Sequence, residues 1–204
     1  MRRRRRRLLN LLRQSSVQAD FAVELGNDDE TLEIPWAAET GGLRYFDLKR
    51  HPELLREVEE AQRSPELGDF LVALNSAASE IETAKCDAWV SARIDPEEEI
   101  FGAAYKFGSY VDLFFSEERA RFSFPEYEQW AKRVTDLLKK GPELSAAAEF
   151  FIRRCYFHAA DGMREGFYIT FYGFGYGEDE FQARRQWAIG LNLVETAIRQ
   201  SAAL

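Results

Sequence analysis

Residues 166–180 read Gly-Phe-Tyr-Ile-Thr-Phe-Tyr-Gly-Phe-Gly-Tyr-Gly-Glu-Asp-Glu, a strand-like run that passes straight into an acidic helix start. Side chains alternate along a strand, so Tyr168, Thr170, Tyr172, Phe174 and Tyr176 share one face and Phe167, Ile169, Phe171, Gly173 and Gly175 the other. One face is rich in hydroxyls, and the other loses its side chains halfway along. Such thinning marks a place where a helix, a ligand or a second chain approaches the backbone closely. The stretch predicts a strand over 166–177 feeding an amphipathic helix over 179–200, with Phe181, Trp187, Ala188, Leu191, Val194 and Ile198 on one side.

Working outward, Asp161, Gly162, Met163, Arg164 and Glu165 form a turn that joins the aromatic strand, as a hairpin, to a strand predicted over 150–158. Ahead of that strand, Ala146 to Ala148 favour one helical turn. Tyr127, Trp130, Ala131, Val134, Leu137 and Leu138 recur at helical spacing between Pro125 and Gly141. Ala84, Cys86, Ala88, Val90, Ala92 and Ile94 alternate with Lys85, Asp87, Trp89, Ser91 and Arg93, the pattern of a half-buried strand. Further strands are predicted over 100–115, with Gly102 and Gly108 as bulge or turn points, and over 120–124. Two helical pieces come first, from Pro52 to Gln62 and from Ser64 to Asn75.

From residue 51 the order is helix, three strands, helix, two strands, helix. This predicts an α+β domain over 51–204, with an antiparallel sheet of about five strands and helices on one side. Residues 14–50 carry short extended pieces at Phe21–Leu25 and Thr31–Trp36 and read as an arm of short strands and loops laid over that domain. As an order of elements over Pro52–Gln200, this resembles the secretion-chaperone-like fold, which includes the type III secretion chaperones and the YbjN-like bacterial proteins. The resemblance implies a small, acidic, dimeric and non-enzymatic binding protein.

The 204 residues are 46% hydrophobic, 14% aromatic and 30% charged, enough apolar material for one core without metal or disulfide staples. Charge is distributed unevenly. Of 27 Lys and Arg residues, seven lie in 1–13, which holds no acid, so the remaining 20 face 35 Asp and Glu. Arg2–Arg7 is read as part of a basic, solvated, disordered tail over 1–13. Binding of nucleic acid or an anionic surface would belong to that tail alone, because the acidic body repels polyanions. Leu8, Leu9, Leu11 and Leu12 are too short a run for a signal peptide, and no stretch approaches a membrane span. Cys86 and Cys155 are too few for a disulfide framework, so a reduced cytoplasmic setting is expected.

Three candidate chemistries each have a plainer explanation. Gly173, Gly175 and Gly177 before a helix suggest a phosphate cradle, but Glu178, Asp179 and Glu180 already place negative charge where the phosphate would sit. Cys155 and His158, with Cys86 and His51, would make a four-ligand zinc set, yet on a strand Cys155 and His158 point to opposite faces. The acidic runs at 28–30, 97–99 and 178–180 sit at turns and a helix start, where solvation accounts for them. No catalytic residue, metal or cofactor is assigned.

The aromatic residues remain. A protein-binding or chaperone-like module is expected, using Tyr168, Tyr172, Phe174 and Tyr176 to meet a protein partner or a second copy, with a basic partner favoured by the acidic body. The competing expectation is an enzyme or small-ligand receptor with its pocket between the 166–177 strand and the last helix, Arg153 and Arg154 serving as polar anchors.

Overall fold

A computed structural model describes residues 17–26, 32–37, 44–91, 103–159 and 162–203. Within them lie β1 (Gln18–Glu24), β2 (Leu32–Ile34), a 3-10 helix (Pro52–Glu57), α1 (Glu59–Arg63), α2 (Pro65–Leu74), β3 (Ile81–Ser91), β4 (Tyr105–Phe115), α3 (Glu118–Arg121), α4 (Phe124–Leu138), β5 (Ala146–Ala159), β6 (Gly162–Gly177) and α5 (Glu180–Ser201). The strands form one open sheet in the order β1-β5-β6-β4-β3, with β2 also beside β5.

The α+β class holds, but the sheet has six strands among the described residues and is mixed rather than antiparallel. β3, β4, β5 and β6 pair antiparallel, whereas β1 and β2 both run parallel to β5. The two extended pieces of the 14–50 segment are these extra strands. They occupy the edge of the 14-residue β5, which would otherwise present a long row of unpaired backbone groups. The strand expected over 120–124 is instead the end of α3 and the start of α4, because Pro125 favours a first helical turn. The basic tail over 1–13 and the acidic run 97–99 lie outside the described residues.

One relationship organises the helix-covered face. Across the β5–β6 ladder, Ala146 pairs with Gly175 and Ala148 with Gly173, so this end of the sheet carries only small side chains. α5 settles into that trough: a Cβ on Gly175 would collide with the backbone of Ala183 and Trp187, and one on Gly177 would lie 2.5 Å from the Ala183 nitrogen. The alanines that favour a helical turn in isolation are therefore strand, because close approach by α5 outweighs a few tenths of a kcal/mol of helix propensity. Asp179 caps α5 by accepting the Gln182 N–H at 2.7 Å, and the Gln182 side chain returns to the Glu178 N–H at 2.8 Å.

Toward the middle of the same face the rings are large. Phe150 stacks on Phe171 at 5.1 Å, and Trp187 meets Phe107 at 4.6 Å while donating its indole N–H to Ser109 Oγ at 2.8 Å. α2, α4 and α5 bury Leu67, Phe70, Leu71, Leu74, Trp130, Val134, Leu138, Leu191, Val194 and Ile198 against these strands. Each such side chain is worth about 1.5–3 kcal/mol, which makes this layer the main source of stability. Phe181, expected on the buried side of α5, is 77% exposed in its first turn.

The outer edge at β3 is guarded by side chains. Lys49 Nζ donates to the carbonyls of Ser79 and Ile81, Asn75 Oδ1 accepts the Thr83 N–H at 3.1 Å, and the Trp36 indole donates to the Ala84 carbonyl at 2.9 Å. A register shift between Thr83 and Cys86 adds a bulge there, whereas Gly108, expected as a bulge or turn, sits inside β4 in regular register.

Candidate functional site

The sheet face away from α2, α4 and α5 is divided. At one end, Leu32 and Ile34 of β2, with Trp36 and Tyr45, bury Phe114, Cys155, Phe157 and Tyr168. Arg121 closes that end, its guanidinium 5.0 Å from the Phe114 ring centre and 5.4 Å from that of Phe157. At the other end the strands carry a row of half-buried rings. Phe151 on β5 meets Tyr172 on β6 edge-on at 5.7 Å, Tyr172 stacks on Phe174 at 6.2 Å and 8°, and Trp89 on β3 lies 6.5 Å from both Phe174 and Tyr110. Lys106 Nζ stands 4.4 Å from the Phe174 ring centre, and the Arg153 guanidinium 5.6 Å from that of Phe151.

The row closes because of Gly108. A Cβ there would stand 3.1 Å from both Phe174 and Trp89, so the absence of a side chain lets the two rings meet over the backbone of β4.

Between the two ends a polar relay crosses four strands. Glu24 on β1 accepts from Arg153 on β5 at 2.8 and 3.1 Å, Arg153 donates to the Thr170 hydroxyl on β6 at 3.3 Å, and Thr170 donates to Asp112 on β4 at 2.8 Å. Asp112 is 6% exposed, and burial pushes its carboxyl up to about 6 against the opposing pull of Thr170, Lys85 and Arg153. Burial, aided by Asp112, also pushes the Tyr168 hydroxyl up to about 12 and raises that of Tyr110. For Arg153, burial is the largest influence and opposes the charge, but the Glu24 hydrogen bond together with the nearby Tyr168, Tyr172 and Glu24 outweighs it and raises the guanidinium further. The Cys86 thiol is pushed up to about 12 and that of Cys155 is also raised, both chiefly by burial, which keeps them from acting as thiolate nucleophiles.

Of the four residues expected to form the partner surface, Tyr172 and Phe174 stand in the ring row, while Tyr168 is buried in the cluster with Leu32 and Ile34 and Tyr176 is only 2% exposed. Arg153 and Arg154 do not converge: they occupy successive positions on β5, Arg153 held by Glu24 on the aromatic face and Arg154 on the other face, 3.8 Å from Glu165. The space between β6 and α5, where a pocket was expected, is filled by the helix backbone at Gly175 and Gly177. Cys155 and His158 lie on opposite faces of β5; His158 pairs with Glu33 at 2.8 Å, His51 with Glu53 at 3.4 Å, and Cys86 sits apart on β3.

Trp89, Tyr110 and Phe151 complete the row. The alternation of β3 already puts Trp89 on the side of Lys85 and Asp87, opposite Ala88 and Val90, which is the signal for it; Tyr110 and Phe151 needed the strand register. Thr170 stands in the sequence only as one hydroxyl among several on its face and Asp112 carries no signal, since their meeting depends on β4 lying beside β6.

No family model, curated protein or solved structure matches this chain. No helix among the described residues is long and apolar enough to cross a membrane.

A groove of about 510 Å³, which shares Tyr110 with the ring row, runs between the segment after β2 and the β3 edge. Trp36, Phe46 and Tyr110 supply rings there, Lys85 and Arg44 cations, and Glu57, Glu59, Glu60 and Asp87 carboxylates.

Proposed function

We propose that the protein is a non-enzymatic binding module that docks a protein partner on the aromatic end of its sheet. The observation that carries this reading is the contiguous row Phe151, Tyr172, Phe174, Tyr110 and Trp89, half-buried and bearing no helix among the described residues. Rings with a polar atom suit an interface, because they bury a large area and still bond a partner or water. The resemblance of the element order to the secretion-chaperone-like fold is in keeping with binding rather than catalysis, although β4 leads here into a short helix where that pattern has a third strand.

The test compares the chain with a Trp89→Lys/Tyr172→Lys double variant and a Val72→Lys control on the exposed side of α2. Proteins captured from the source lysate are expected with the native chain and Val72→Lys, and lost with the double variant. Capture of the same set by all three overturns the reading. Sedimentation equilibrium on the same proteins reports whether the partner is a second copy.

A small-ligand reading of this end of the sheet is favoured by one feature only, the 510 Å³ groove, whose size falls within the range of ligand pockets. Its mixed lining of rings, two cations and four carboxylates suits a zwitterionic or cationic aromatic compound.

A further inference from the structure

We propose that the cavity between the end of the β3–β4 ladder and the first turns of α4 binds a free α-amino acid, gripping its carboxylate and its ammonium together. The cavity lies at the opposite end of β4 from the ring row, and the inference does not depend on the docking reading.

Three elements wall it. Ser116 closes the ladder by donating its N–H to the Glu80 carbonyl at 2.8 Å, which sets Glu80 and Ser116 side by side. α3 contributes Arg119. Along α4, Glu126, Trp130 and Arg133 are spaced four and three residues apart and so share one stripe of the helix. Trp130 ties that stripe to the ladder, its indole donating to Glu80 Oε1 at 2.9 Å. The cavity measures about 580 Å³, a size that suits a small molecule.

Unmet polar groups mark the place. Among the described residues three buried side-chain atoms have no hydrogen-bond partner, and two of them, Arg133 Nε and Ser116 Oγ, belong to residues of this one cavity. Burial raises the Glu82 carboxyl, and Arg121 and, more weakly, Ser116 draw it back, yet Ser116 Oγ completes no hydrogen bond in good geometry; Arg133 is the firmer of the two. A buried donor on a charged group is costly to leave unpaired, and folded proteins seldom keep one without a ligand, an ion or water to meet it. Arg133 and Arg119 also make no ion pair among the described residues.

The surrounding charges select the ligand. Two guanidiniums without counter-ions suit a carboxylate, which arginine meets with two parallel hydrogen bonds, and the Ser116 hydroxyl adds a third donor. A pure anion such as phosphate fits badly, because Glu80, Glu117 and Glu126 line the same space and repel it. Those carboxylates suit an ammonium instead. An α-amino acid carries both charges on one carbon, whereas a protein chain presents them at separate ends.

Thermal unfolding of the full chain with each of the twenty standard amino acids in turn tests this. At least one is expected to raise the midpoint as its concentration rises, because a ligand that binds only the folded state stabilises it. By calorimetric titration that amino acid is expected to bind about tenfold or more tightly than its deaminated analogue, its decarboxylated analogue or inorganic phosphate. Arg133→Met is expected to weaken it about tenfold or more without lowering the midpoint of the unliganded protein, while Lys132→Met, on the exposed side of α4, leaves binding unchanged. Glu126→Gln, at an exposed position, is expected to weaken the amino acid but not its deaminated analogue, and it decides the matter if Arg133→Met does not fold. No shift with any of the twenty leaves Arg133 to water and overturns the proposal. Undiminished binding by a folded Arg133→Met, or by Glu126→Gln in its place, overturns it as well, and so does phosphate binding as tightly as the amino acid, the mark of a plain anion site.

Discussion

Thr170 donates its hydroxyl to the buried carboxylate of Asp112 across 2.8 Å, joining β6 to β4 in the middle of the sheet. Asp112 is largely buried, and burial raises its carboxyl from 3.8 to about 6. A carboxyl raised on folding stabilises in its neutral form: its contribution is fully present below the unfolded value and is lost as pH climbs through the folded one. Asp112 therefore destabilises the native state above about pH 6, by up to roughly 3 kcal/mol relative to an uncharged group. Asp112→Asn keeps an acceptor for Thr170 and carries no charge. It is expected to match the native protein at about pH 4 and to exceed it in urea-unfolding free energy at about pH 8. A constant difference between the two proteins across that range would remove Asp112 from the pH dependence.

Gly175 and Gly190 make opposite demands. A Cβ at Gly175 collides with the α5 backbone, which cannot move without lifting the helix from the sheet, so Gly175→Ala is expected to cost about 3 kcal/mol or more. Gly190 lies inside α5, and a Cβ there meets Ala146 Cβ at 3.4 Å, an ordinary contact. Gly190→Ala is expected to stabilise by up to about 1 kcal/mol through helix propensity. Thermal or chemical denaturation of both variants decides whether the glycine-thinned end of β6 exists to seat α5.

That seating was half legible in residues 166–180. The alternation showed one face thinned to glycine and an acidic start to the next helix, and the structure puts a helix on that face with Asp179 as its cap. Ala146 to Ala148 misled, because local helix preference says nothing of Gly173 and Gly175 lying opposite them in the ladder. β1 and β2 were visible as extended pieces, but parallel pairing with a strand more than a hundred residues away leaves no local trace. Of the residues expected to meet a partner, Tyr172 and Phe174 stand half-buried in the ring row, as the alternation of β6 placed them on one face. Tyr168, on the same face, is instead buried in a cluster with Leu32, Ile34, Trp36 and Tyr45, which the alternation of β6 alone does not reveal.

Asn75 ties the end of α2 to the guarded edge strand. Its amide donates to the Leu71 carbonyl and the Thr83 hydroxyl, each at 2.8 Å, and accepts the Thr83 N–H at 3.1 Å, all in a buried setting. Asn75→Ala orphans the Thr83 N–H, and a buried polar group without a partner costs about 1–3 kcal/mol. The urea midpoint is expected to fall while the slope of the transition stays constant, which marks a loss of stability without a change in the surface exposed on unfolding. A changed slope would point instead to partial unfolding of the β3 edge.

Gly108 separates folding from docking more cleanly than any ring does. Its Cα lies on the aromatic face side of β4, and a Cβ there would press on Phe174 and Trp89 at 3.1 Å, side chains that are half-buried and free to yield by a few tenths of an ångström. Gly108→Ala should therefore cost little stability, about 1 kcal/mol, since no core ring or helix backbone is disturbed. The same methyl wedges the row open at its centre. Shape matching at a ring surface is lost with shifts of that size, so partner capture is expected to weaken severalfold while the unfolding midpoint hardly moves. Undiminished capture by Gly108→Ala, alongside its loss in Trp89→Lys/Tyr172→Lys, would mean that the partner reads the charge and bulk of this face and not the packing of its rings.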